Sequence, residues 1–442
     1  MGLVKAAPTV ASMLVTAPRC MPILRSEQVG ALCPTVAGKE KGCLDKSGKK
    51  TALVFGASGV SGWSFVNEIL HDYPTTGVWD GCIALTNRPL DLEKTLWPKD
   101  ERLSVVSGVD LLGGDQDELN KIMKQKVKGI EMVTHVFYLA YKAHTDCNYE
   151  AEYHENIDMF KRAVIAVDGL SPALEFVVLQ TGSKAYGCHL LRNRPSNMVP
   201  PMKETLPRMS PPHDAGLFYY PQLDWIAEYA SDRSWSWCET RPDIVVGFVP
   251  NGNWYSLGTV LGIFFSLYRY IHGAGAECPF PGSEDSWNAL SVDASADMIA
   301  RQTLHLSTTA AGSIKKGDAF NVGDAKRASC WREKWPVLCE YFELKGVKSK
   351  QDNPIEVRKF IRENISRWDE LETKHGLEKG HADNPMIYPG FEYFLLTQFD
   401  TDRQFDMSKM YSTGFGEERS TIEAWGKVFD RMRVARIIPS AF

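Results

Sequence analysis

The chain has 442 residues, 44% of them hydrophobic and 24% charged, with a formal net charge of −5. That length allows one large or two ordinary domains with a substantial core, and the mildly acidic balance gives no electrostatic reason to expect a nucleic-acid partner. Ten cysteines stand singly and ten histidines fall at no metal-ligand spacing, so reduced thiols in a cytoplasmic protein without a metal site are expected.

Residues 1–50 differ from the rest. Their early charges are Lys5, Arg19 and Arg25, with no acid before Glu27. We expect a disordered N-terminal extension; a basic, acid-poor opening also fits a mitochondrial presequence, the alternative reading. Residues 39–50, KEKGCLDKSGKK, read as a solvated linker.

Thr51 to Leu70 is the most informative stretch. Ala52 to Phe55 is an apolar run suited to a parallel strand buried on both faces. Gly56, Gly59 and Gly62 follow at three-residue spacing, with Ser58 and Val60 between them. Phe65, Val66, Ile69 and Leu70 then recur as a helix face. Strand, glycine turn and helix form a phosphate cradle: residues without a Cβ let the backbone approach a pyrophosphate, and the helix start faces it with N–H groups. A dinucleotide site is expected here.

The second strand, Cys82 to Leu85, ends in Thr86-Asn87-Arg88-Pro89. An NAD-binding chain would place an acid near this position to hold the adenosine ribose. Asn87 and Arg88 suit a 2′-phosphate instead, so NADPH is the expected cofactor. A third strand, Leu103 to Val106, leads to Asp110-Leu111, beside the adenine. Further strands are expected at His135 to Leu139, Phe176 to Leu179 and Ile244 to Phe248, alternating with helices at Gln116 to Lys128 and Tyr153 to Val167. This alternation predicts an α/β, Rossmann-type, doubly wound parallel sheet over residues 51–290. Strand signals thin out after Ser291, and residues 291–442 read as a mainly helical, substrate-binding region. Ile244 to Tyr268 carries no charge but is interrupted by Pro250-Asn251-Gly252-Asn253, so a strand, a turn and a buried helix are expected rather than a membrane span.

Reduction on such a sheet needs a phenol at the substrate oxygen and a nearby ammonium. Two YxxxK spacings, Tyr138 with Lys142 and Tyr341 with Lys345, are poorly placed. Better placed are Thr181, Gly182 and Lys184 just after the fifth strand, and Tyr220 beside Pro221 at a helix start, where the helix dipole favours a developing phenolate. Tyr186, Leu190, Trp254 and Tyr255 are candidate substrate-pocket residues.

The runs GASGVSGW, LQTGSKAYG, LFYYPQLD, ETRPDIVVGF and CPFPGSEDSW together resemble the progesterone 5β-reductase/iridoid synthase (PRISE) group of atypical short-chain dehydrogenases/reductases, from about residue 51 to the C-terminus. The resemblance implies that Lys184 and Tyr220 are the catalytic pair and that Asn87-Arg88 meets the NADPH 2′-phosphate. It departs from the group on the substrate side, where Gly187-Cys188-His189-Leu190 replaces a GPF-like run. The expected function is NADPH-dependent reduction of an activated C=C bond, an enone or enal, in a small secondary-metabolite substrate; carbonyl reduction on the same pair is the alternative. A small-molecule substrate is the expected partner, and a homodimer is admitted.

Overall fold

The computed structural model describes residues 48–144, 148–250, 255–349, 355–382, 384 and 390–442. Seven parallel strands form the central sheet: β1 (Lys50–Phe55), β2 (Trp79–Thr86), β3 (Leu103–Ser107), β4 (His135–Tyr138), β5 (Phe176–Gln180), β6 (Ser236–Pro242) and a seventh, Asp318–Val322. Their spatial order is seventh-β6-β5-β4-β1-β2-β3. Phe55 of β1 is in register with Leu85 on one side and Tyr138 on the other. The order reverses between β1 and β4, the point at which an open α/β sheet leaves a ligand crevice.

The two-residue period of β1 divides the core. Ala52 and Val54 pack with Phe65 and Ile69 of α1 (Val60–Leu70) and with Ile299 and Leu304 of the helix Ala296–Ser307. Leu53 and Phe55 face the other way, onto Leu119 of α2 (Gln116–Lys126), Phe160 of α3 (Tyr149–Leu170) and Ile226 of α4 (Tyr219–Tyr229). Both faces of the sheet are thus covered, which the continuous apolar reading of β1 requires.

Two strands differ from the sequence expectation. The sixth sheet strand is Ser236–Pro242 rather than Ile244 to Phe248; only Val245–Val246 of the latter is extended, paired with Ala294–Ser295. Its charges hid it. Glu239 and Arg241 are both buried and satisfy each other at 2.6 Å, so a polar-looking segment sits inside the protein. The seventh strand comes from beyond residue 291, so the helical C-terminal region also completes the sheet. The charge-free run becomes α5 (Leu257–His272), buried through most of its length, and no helix among the described residues is long and apolar enough to cross a membrane.

Candidate active site

The turn after β1 is built by close approach. Gly56 has φ +78°, and a Cβ there would stand 2.9 Å from the Ala140 backbone; at Gly62 it would stand 2.1 Å from the Gly56 carbonyl oxygen. The Gly59 N–H donates to that same carbonyl at 2.9 Å. Gly59 caps α1 with no side-chain hydrogen bond, and the first turn holds no acid. Among the described residues, therefore, no side chain caps this helix start and no acid lies in its first turn, an arrangement that fits a pyrophosphate. Ser58 and Val60 flank the turn, both half-buried.

The loop after β2 is held by Thr86, whose hydroxyl donates to the Arg88 carbonyl at 2.7 Å, and by Gly108, whose N–H donates to the Thr86 and Asn87 carbonyls, each at 3.1 Å. Asn87 and Arg88 are exposed, and the guanidinium forms no ion pair among the described residues. Asp110 accepts from the Leu112 N–H at 3.0 Å, ordering the turn that buries Leu111.

At the end of β5, the Thr181 hydroxyl donates to Glu239 at 2.5 Å. Lys184 lies on a short 3₁₀ turn, Ser183–Tyr186, with its Nζ 5.8 Å from the centre of the Tyr141 ring. Burial lowers the Lys184 pKa, and the Glu152 carboxylate opposes that shift. His189, on the following 3₁₀ segment, feels the Lys184 charge; burial first, then that charge, pushes it down to about 3, so its imidazole is neutral. Its Nδ1 is buried without a hydrogen-bond partner among the described residues.

The adjacent tyrosines of α4 have different surroundings. Tyr220 accepts from the Met209 N–H and donates to the Ala185 carbonyl, both at 2.9 Å, and the Arg208 guanidinium covers its ring at 5.0 Å. Burial raises its pKa, and the Met209 bond works against the rise. The Tyr220 hydroxyl thus reaches the backbone one residue past Lys184, with its proton committed. Tyr219 points toward β5: a Cβ on Gly182 would lie 3.6 Å from its oxygen. That hydroxyl has no hydrogen-bond partner among the described residues, and burial pushes its pKa up.

An aromatic mouth adjoins Lys184. Tyr141 stacks on Phe218 (5.7 Å between ring centres) and meets Tyr255 (5.7 Å), which in turn meets Phe391 (5.1 Å). Leu190 is half-buried against the core. Tyr186 points inward: it donates to Asn321 at 2.7 Å and accepts from Arg241 at 3.1 Å. Trp254 lies outside the described residues. Neither YxxxK spacing forms a pair. Tyr138 is buried against Phe160 while Lys142 binds Glu155, and Tyr341 bonds Asp430 while Lys345 meets Glu277. Sequence reasoning missed Tyr141 and Glu152, though Tyr141 follows β4 directly at the sheet's carboxyl edge, where ligands bind.

A glycine-turn Rossmann sheet with a lysine and tyrosines at its carboxyl edge defines an oxidoreductase of the short-chain dehydrogenase type. Residues 52–439 match the PRISE-like Rossmann-fold domain, and the chain belongs to that family. Among its relatives, a short chain dehydrogenase (ausT) of Aspergillus calidoustus is 34% identical over 90% of this chain and 96% of its own. The 3-oxo-Delta(4,5)-steroid 5-beta-reductase of Arabidopsis thaliana is 25% identical over 89% and 94%. The (S)-8-oxocitronellyl enol synthase of Nepeta racemosa is 26% identical over 88% and 94%. The solved UDP-glucose 4-epimerase of Thermus thermophilus, a complex with NAD, shares the fold with a TM-score of 0.54 at 15% identity, covering 87% of this chain and 99% of that one.

Proposed function

We propose that the protein is an NADPH-dependent reductase of an activated C=C bond, an enone or enal, with Lys184 and Tyr220 serving the substrate oxygen. The observation that carries the reading is the half-buried Lys184 just after β5, beside an aromatic mouth suited to a planar, largely apolar substrate, with the α4 tyrosines reaching its chain neighbours Gly182 and Ala185. Two relatives support the class, one named for reducing a 3-oxo-Δ4,5 steroid and the other for making an enol from 8-oxocitronellyl chemistry.

NADPH would supply the hydride. The turn at Gly56, Gly59 and Gly62 would hold its pyrophosphate, Asn87 and Arg88 its 2′-phosphate, and Thr181, Gly182 and Lys184 would border its nicotinamide end. As charge develops on the substrate oxygen, a phenol hydrogen bond stabilises it, and the Lys184 ammonium makes that phenol a better donor. For Tyr220 to donate, its hydroxyl must leave the Ala185 carbonyl. A second reading gives this task to Tyr219, whose hydroxyl has no hydrogen-bond partner among the described residues.

NADPH is expected to bind at least about tenfold more tightly than NADH, roughly 1.4 kcal/mol, and Arg88→Ala to erase most of that preference while leaving NADH affinity alone. Titration of both cofactors checks it; a variant that kept the preference would remove Arg88 from the 2′-phosphate site. Across a panel of enones, enals and ketones, NADPH oxidation is expected to favour the conjugated substrates.

A further inference from the structure

The surroundings of Lys184 contain a group that the reaction does not use directly. Glu152 lies in the first turn of α3, where it accepts a hydrogen bond from the Tyr141 hydroxyl at 2.5 Å and from the His144 N–H at 3.1 Å. The Tyr141 ring so held is the one facing the Lys184 ammonium at 5.8 Å. Tyr141 is 39% exposed, so the position of its ring depends on the contacts that hold it. Phe218 stacking on its ring at 23° and the carboxylate on its hydroxyl together fix the plane that Lys184 meets.

We propose that Glu152 is a positioning residue for the Lys184 ammonium: its carboxylate holds the Tyr141 ring against that ammonium and places a negative charge on the same side of the site. An enclosed lysine tends to shed its proton, because a low-dielectric setting disfavours the charged form. An opposite charge and an aromatic face both resist that loss. Among the described residues, the titratable side chains that touch Lys184 or act on it electrostatically are Tyr141 from the loop after β4, Glu152 from α3 and His189 from the 3₁₀ segment. His189 is neutral and adds no positive charge. One step further out, Glu155 is already paired, with Lys142 at 3.0 Å and His144 at 2.6 Å. Glu152 is therefore the acid whose charge acts on Lys184.

This inference rests on the catalytic role proposed for Lys184, yet its test does not require turnover. The full chain is reductively methylated with ¹³C-formaldehyde, and the Lys184 methyl signal, identified by its loss in Lys184→Arg, is titrated by NMR. Glu152→Gln retains an acceptor for the Tyr141 hydroxyl and removes only the charge. In it, Lys184 is expected to titrate about one pH unit or more lower than in the wild type. Tyr141→Leu, which removes the ring, is expected to lower the midpoint as well, whereas Tyr141→Phe should change it less. In NADPH oxidation, the alkaline limb of kcat/KM should move to lower pH in Glu152→Gln by the same amount, with the plateau below it kept within a few-fold. A Lys184 midpoint and an alkaline limb both unchanged in Glu152→Gln would overturn the proposal. If the wild type reduced no enone while the Lys184 signal moved as stated, the reductase reading would fail and the role of Glu152 would stand.

Discussion

Tyr220→Phe is expected to lower turnover on an enone by about 10²-fold or more, the cost of losing one preorganised donor to a developing oxyanion. Lys184→Ala should cost at least as much if, as proposed, its charge favours the phenol's hydrogen bond and it borders the nicotinamide end. The two variants should differ in stability. Tyr220→Phe leaves the Met209 N–H and the Ala185 carbonyl without their shared partner, a loss of about 1–3 kcal/mol per unsatisfied buried group. Lys184→Ala breaks no ion pair among the described residues. Turnover must therefore be read at a temperature where both variants are folded, with cofactor binding measured alongside. Tyr219→Phe is expected to stay within a few-fold of the wild type. If Tyr219→Phe lost the activity and Tyr220→Phe kept it, the phenol would be assigned to Tyr219, and the Tyr220 hydroxyl would be structural.

The largest stability loss is expected at Arg403→Ala. Arg403 Nε donates to Asp243 at 3.0 Å, and the two side chains are 4% and 1% exposed. The pair ties the segment after β6 to the C-terminal region, and the Arg403 guanidinium also lies 4.2 Å from the Phe399 ring centre. Burial raises the Asp243 pKa, and Arg403 is the largest opposing influence. Without the arginine, the buried carboxylate loses its directly bonded counter-charge and keeps only the weaker influences of Ser183 and Lys334, which costs about 3–5 kcal/mol. The raised pKa fixes the pH response: Asp243 takes up its proton more readily in the folded state than in the unfolded one. The variant should then lose stability as pH rises through the folded-state value, and recover part of it in acid. Chemical denaturation at several pH values measures this. A loss below about 1 kcal/mol at neutral pH would show that water or a nearby group replaces Arg403.

The elements that depend on apolar runs and glycine spacing could be read directly. β1, its turn and α1 follow from Ala52 to Phe55, three glycines and a helical apolar face, because a buried parallel strand and a tight backbone approach leave few other residue choices. β6 could not be read in this way. Glu239 and Arg241 look like surface residues, and only their pairing with each other and with Thr181 and Tyr186 makes them interior ones. The seventh strand was obscured by Asn321, a polar residue buried because its side chain donates to the Met202 and Asp406 carbonyls. At the site, Lys184 and the tyrosine pair stood out by position after β5 and at a helix start. Their orientations did not, since the Tyr220 hydroxyl is directed by Met209 and Ala185, and Lys184 by a Tyr141–Glu152 contact eleven residues apart. Contacts of that kind exist only once the chain has folded.

The central claim is that this edge of the sheet delivers hydride to a conjugated carbon. It is tested most directly by supplying NADPH deuterated at the transferred position to the purified protein with a simple enone, and locating the label by NMR. The account predicts deuterium on the β carbon of a saturated ketone, with the carbonyl intact, and loss of that product in Lys184→Ala. Deuterium on the carbinol carbon of an allylic alcohol would contradict it and make the protein a carbonyl reductase.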